Sequence, residues 1–215
     1  MSQDVSSLAA LGDPLRRMLY EFVVAQREPV SRDQVAEALG IARHAVKFHL
    51  DRLEGEGLLE AVFSRPSGRG GPGAGRPAKF YRRAAREFMV SLPERRYDLA
   101  SRIMAEAITA SERDGVPIAG ALAEAAHRTG RECAAGTSAH LNQVLADLGY
   151  EPQSDAAGIK LANCPFHRLA ADYTELVCGL NLNLVNGLLA ELGRPALRAE
   201  LAPAEGRCCV RIFAD

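Results

Sequence analysis

The 215-residue chain has no cysteine in its first 132 positions and no CxxC pair anywhere. The missing pair excludes a zinc ribbon or zinc finger. No apolar run approaches the roughly 18 residues of a membrane span. The opening "MSQDVSSLAALGDP" lacks the basic start and apolar core of a signal peptide. Glycine-rich phosphate loops, paired carboxylates and a nucleophile elbow are also missing, which argues against an enzyme. These absences lead to the expectation of a cytoplasmic protein that makes no membrane contact. Its five cysteines (133, 164, 178, 208 and 209) are then expected to be reduced, which favours metal or redox roles over disulfides.

What is present is ordinary in bulk and uneven in distribution. Apolar residues make up 47% and charged residues 25%, as in a soluble globular protein. Residues 1–86 hold 14 Lys/Arg against 10 Asp/Glu, whereas residues 87–215 hold 12 against 17. The N-terminal part is suited to anions, and the C-terminal part has a different task.

Local signals divide the N-terminal part into short helices. Asp13 before Pro14 is an N-cap followed by proline at the first helical position, predicting a helix over about 14–26. Ser31 with Gln34 predicts a capping box, Val35, Ala38 and Leu39 a buried stripe, and Gly40 a stop. A third helix, about 42–55, follows after a tight turn, with Val46, Leu50 and Leu53 as its buried positions. This is a helix-turn-helix. "GLLEAVFS" and "AKFYRR" then read as a hairpin, and the Gly/Pro/Arg stretch between them as the loop of a wing. The stripe turns Arg43, His44 and Lys47 toward base edges and leaves His49 and Arg52 near the rim, in reach of backbone phosphate. Arg65, Arg69, Arg76 and Lys79 supply the wing's charge for phosphate or the minor groove.

"VSRDQVAEALGIARHAVKFHLDRLEGEGLLE" resembles the winged-helix domain of arsenical-resistance-type repressors and their relatives, over about residues 8–84. The resemblance implies a homodimer that binds double-stranded DNA. Metal-sensing members often carry cysteines on a DNA-binding helix. None lies in residues 1–132 here, so that type of site is excluded.

The remainder reads as two further parts. Residues 89–149 are expected to be an alanine-rich helical linker that builds the dimer interface, with Leu99, Ile103, Ala107 and Ile108 as one stripe. Cys133 reads as a buried, inert thiol. Residues 150–215 read as a small α+β sensor domain, with two short strands around a turn at 155–158. Cys164 falls on a loop, Cys178 early in a long helix, and Cys208 and Cys209 in the last strand. The overall class is mostly α with an α+β C-terminal domain, preceded by the winged helix of residues 1–88.

The cysteines follow C-x13-C-x29-C. In a regular strand Cys208 shares a face with Val210 and Ile212, and Cys209 with Arg207 and Arg211, so Cys208 is the better ligand candidate. "NCPF…E.VC…N..L…GLL…G.CC" resembles the C-terminal domain of regulators of iron–sulfur cluster assembly, and also 4-vinyl-reductase-type domains, some of which bind zinc or small aromatics. The first resemblance implies an iron–sulfur cluster held by Cys164, Cys178 and Cys208 that sets DNA affinity in a repressor. The alternative is structural zinc with a small organic effector. Thiolates suit either metal.

Overall fold

The computed structural model describes residues 3–64 and 77–214. Arg65, Arg69 and Arg76 lie outside the described residues. The chain divides into two compact units, Met1–Val90 and Ser91–Asp215.

In the first unit the described elements are α1 (Gln3–Ala10), α2 (Pro14–Val24), β1 (Val30–Ser31), α3 (Arg32–Leu39), α4 (Arg43–Gly55), β2 (Leu59–Ser64) and β3 (Ala78–Arg83). The caps act as their residues require. The Arg16 N–H donates to Asp13 Oδ1 at 2.8 Å, ahead of Pro14. Ser31 and Gln34 close a reciprocal box, the Ser31 N–H donating to Gln34 Oε1 at 2.8 Å and the Gln34 N–H to Ser31 Oγ at 3.3 Å. Gly40 ends α3 at φ 65°, a left-handed value that glycine adopts freely. Leu19, Val23, Val35, Val46, Leu50, Leu53, Leu59 and Tyr81 form the core. In α3 the second small residue against that core is Ala36 and not the expected Ala38, which is exposed. The antiparallel sheet runs β1-β3-β2, so a two-residue strand too short to show in the sequence pairs Val30 with Tyr81.

In the second unit follow α5 (Tyr97–Asp114), α6 (Ile118–Ala134), α7 (Leu141–Asp147), β4 (Pro152–Asp155), β5 (Gly158–Leu161), α8 (His167–Asp172), α9 (Thr174–Glu191), β6 (Leu197–Leu201) and β7 (Val210–Ala214). The antiparallel sheet has the order β4-β5-β7-β6. The class is therefore mostly α with an α+β C-terminal unit. The expected border at residue 149 is absent. Leu99, Ile103, Leu122, Val144 and Leu145 share one continuous core with Leu161, Leu180, Leu184, Val210 and Ile212. Each of these faces buries its apolar surface against the others, so the helical segment and the sheet form one unit. Leu99, Ile103 and Ala107 are thereby used inside the protomer, while Ile108 is 51% exposed.

α9 lies at the centre of this unit, buried along most of its length. Its crossing with α6 is unusually close. A Cβ at Gly187 would lie 2.0 Å from the His127 carbonyl oxygen, and one at Gly130 would lie 2.0 Å from that of Leu184. The two backbones touch where side chains would normally hold helices 8–10 Å apart.

Gly187→Ala and Gly130→Ala should each destabilise the second unit by about 3 kcal/mol, the upper range for overpacking. Gly179→Ala, on the same α9 but with nothing within 4 Å of its Cβ position, should be neutral or gain about 0.5 kcal/mol from helix propensity. Urea denaturation followed by circular dichroism checks both.

Candidate nucleic-acid interface and cysteine site

α4 is anchored by Val46, Leu50 and Leu53, each fully buried. At 100° per residue this anchoring turns the opposite face outward. Arg43, His44, Lys47 and Arg52 are exposed on it, and so is Phe48 at 69%. Phe48 is an apolar residue that the sequence reading passed over, although its position opposite the stripe was readable. Arg43 Nη2 donates to Asp33 Oδ2 of α3 at 2.6 Å, and Arg52 pairs with Glu56. Lys47 lies 3.4 Å from Asp51 one turn on. His49 is not on the outer face. It is half-buried, and its Nδ1 is enclosed without a hydrogen-bond partner. The Arg16 backbone N–H holds the nearby Asp13 carboxyl below the usual range.

Lys79 takes a different place from the one expected of a wing cation. Its ammonium turns onto α4, donating to Asp51 Oδ1 at 3.0 Å and also to Glu54. It lies 4.9 Å from the centre of the Tyr81 ring, and the Tyr81 hydroxyl donates to the same Asp51 oxygen at 2.8 Å. Strand β3 is thus clamped to α4 by two carboxylates, an ammonium and a phenol. Burial opposes ionisation of Asp51, but the hydrogen bonds from Tyr81 and Lys79 outweigh it and hold its carboxyl below the ordinary range. Burial and then Asp51 push the Tyr81 phenol up to about 12.

Of the cysteines of the second unit, Cys164 lies next to Cys208. Cys208 and Cys164 are both buried, and their thiols influence each other. That interaction lowers the Cys164 thiol against the effect of burial, and it raises Cys208, which burial raises further. Asn181 Nδ2, from α9, donates to Cys208 Sγ at 3.1 Å, and the buried Tyr150 hydroxyl donates to Asn181 Oδ1. The Cys164 loop is tied down by Arg95 Nη1 on the Cys164 carbonyl at 2.9 Å. Asn163 Nδ2 donates to the carbonyls of Gly149 at 2.6 Å and Glu94 at 3.0 Å.

Cys178 does not join Cys164 and Cys208. It is bonded to Cys209 in a disulfide with a Cα–Cα distance of 6.5 Å. The expectation that all five thiols are free is corrected here, because three are free: Cys133, Cys164 and Cys208. Cys208 and Cys209 also precede β7 rather than lying in it. Cys208 still takes the core side, where it is almost fully buried, and its N–H donates to the Leu161 carbonyl at 2.9 Å. Cys209 turns the other way, where the first turns of α9 meet it. Among the described residues no three or more His, Cys, Asp or Glu side chains are grouped to hold a metal ion. In this bridged state the three nominated cysteines do not fit one metal or cluster site. Cys133 is half-buried at the end of α6, and burial pushes its thiol up.

The clamp has a pH signature. A carboxyl held below its unfolded value contributes stability above that value and loses it as pH falls through the folded one. Asp51→Asn should therefore cost the first unit about 1 kcal/mol at pH 7, allowing for its partial exposure. The gap should close below about pH 4, the ordinary carboxylate range. Tyr81→Phe should cost about 1 kcal/mol at pH 7. Urea midpoints measured at pH 7 and pH 3 give both values.

The geometry of the first unit meets one finding from known proteins. Residues 11–62 match the family model described as a helix-turn-helix domain. No curated protein and no solved structure matches the chain. Among the described residues no helix is long and apolar enough to cross a membrane. The matched segment contains α2, α3 and α4, arranged as in a helix-turn-helix, a module by which many transcription regulators bind DNA.

Proposed function

We propose that this chain is a DNA-binding transcription regulator, a homodimeric repressor whose DNA affinity is set by the thiols around Cys208. The observation that carries the first half is the outer face of α4, where Arg43, His44, Lys47 and Arg52 are exposed within the matched helix-turn-helix. In a dimer, two such helices would enter successive major-groove turns about 34 Å apart.

The second half rests on two cysteine pairs, Cys164 with Cys208 and Cys178 with Cys209, drawn from a loop, a helix and the segment ahead of β7. An iron–sulfur cluster on Cys164, Cys178 and Cys208 requires that the Cys178–Cys209 bond first be reduced. When bound, such a cluster supplies a redox-sensitive and labile centre. The residues of the chain then have separable tasks. Asn181 orients Cys208, Arg95 and Asn163 hold the Cys164 loop, and Cys209 is released as a free thiol.

The test is anaerobic purification in the presence of a dithiol reductant, iron, sulfide and zinc analysis, and fluorescence anisotropy on a duplex selected by the full chain from a random pool. Wild-type protein should take up iron and sulfide and change its DNA affinity on reconstitution. Cys164→Ser, Cys178→Ser and Cys208→Ser should be iron-poor, with an affinity indifferent to reconstitution. Cys133→Ser and Cys209→Ser should behave as wild type. Stoichiometric zinc with rejection of iron and sulfide would replace the cluster by structural zinc. Failure of the wild-type chain to enrich any sequence would overturn the regulator itself.

A further inference from the structure

Phe48 carries a meaning that its charged neighbours do not. Isolated apolar residues on a protein surface are common and need no explanation. Phe48 differs in where it sits. The buried positions Val46, Leu50 and Leu53 fix the orientation of α4, and Phe48 lies nearly opposite them. His44 is one turn before it on the same face, and Lys47 and Arg52 flank it. Its ring meets His49 edge-on at 5.3 Å and joins neither the core nor the partly buried side chains packed on it. A helix presented this way by a helix-turn-helix lies in the major groove with these residues toward the base pairs.

The chemistry of that groove selects one partner for an aromatic ring. Three of the four bases offer only donors and acceptors there, which a phenyl ring cannot satisfy. Thymine adds a C5-methyl group, an apolar knob that suits a phenylalanine face. Where a cation near Phe48 meets phosphate it carries no sequence information directly.

We propose that Phe48 reads thymine in the DNA site through its C5-methyl group and is a specificity-determining residue of this chain. The inference rests on the DNA-binding reading above, and it adds one base identity to it. Charge that meets phosphate gives affinity to any sequence, whereas Phe48 gives a preference for thymine.

The experiment uses the full chain and the duplex it selects from a random-sequence pool. Each thymine of that duplex is replaced in turn by uracil, which removes only the methyl group. Wild-type protein should bind about 3- to 10-fold more weakly at one thymine per half-site, the effect of losing one buried methyl and its packing. Phe48→Ala should lose a similar factor on the thymine duplex and show no further loss with uracil at that position. Phe48→Leu should keep part of the discrimination. Because Phe48 is exposed, the urea midpoint should not move, which separates loss of contact from loss of fold.

A wild-type chain that selects no sequence removes the DNA-binding reading as a whole. A chain that selects a sequence but keeps its uracil penalty in Phe48→Ala overturns this inference alone. So does Phe48→Ala protein that binds the thymine duplex as wild type does. Sedimentation in which Phe48→Ala alone converts a dimer to a monomer also overturns it, because the ring would then be covered by a second copy.

Discussion

The closest constraint in the protein is the contact between the backbones of α6 and α9. Gly130 and Gly187 each face a carbonyl oxygen of the other helix, at a distance that no side chain could enter. This sets how deep α9 sits. The depth in turn decides what the helix presents at its start, because Cys178 and Asn181 lie within three turns of Gly187. One reaches Cys209 and the other reaches Cys208. The cysteine site is therefore placed by a packing event between two helices that carries no thiol at the point of contact.

The first unit depends on a different device. Its wing is joined to α4 by Asp51 and Glu54, which accept from Lys79, with Tyr81 completing the set. On the DNA-binding reading proposed above, carboxylates on α4 would ordinarily repel phosphate. Here they are engaged by an ammonium and a phenol, so most of their charge is met within the protein. The arrangement uses one wing cation for geometry and leaves His44, Phe48 and the remaining cations of α4 to face outward.

Around Cys208 the protein buries polar groups in sequence: Tyr150 to Asn181, then Asn181 to Cys208. A buried chain of this kind holds only while each member has its partner. The thiols are thus held in defined places before any metal is considered. The Cys178–Cys209 bond is the one link between α9 and the segment before β7 that reduction would open.

How much of this was legible can be argued residue by residue. Asp13–Pro14, the Ser31/Gln34 box, Gly40 and the Val46/Leu50/Leu53 stripe were readable because each works within a few residues of itself. Capping bonds and helical periodicity are local, so the sequence by itself determined the helix-turn-helix and which side of α4 is buried. It also determined that Cys208 belongs to the core side of its segment. Only the tertiary structure decided that Lys79 closes on α4 and that the helical segment and the sheet share one core. It alone decided that Cys178 meets Cys209 instead of Cys208. Those outcomes join residues 25 to 31 or more positions apart. They depend on how closely α9 approaches α6 and how β3 lies on α4, and no short-range pattern encodes a distance of that kind.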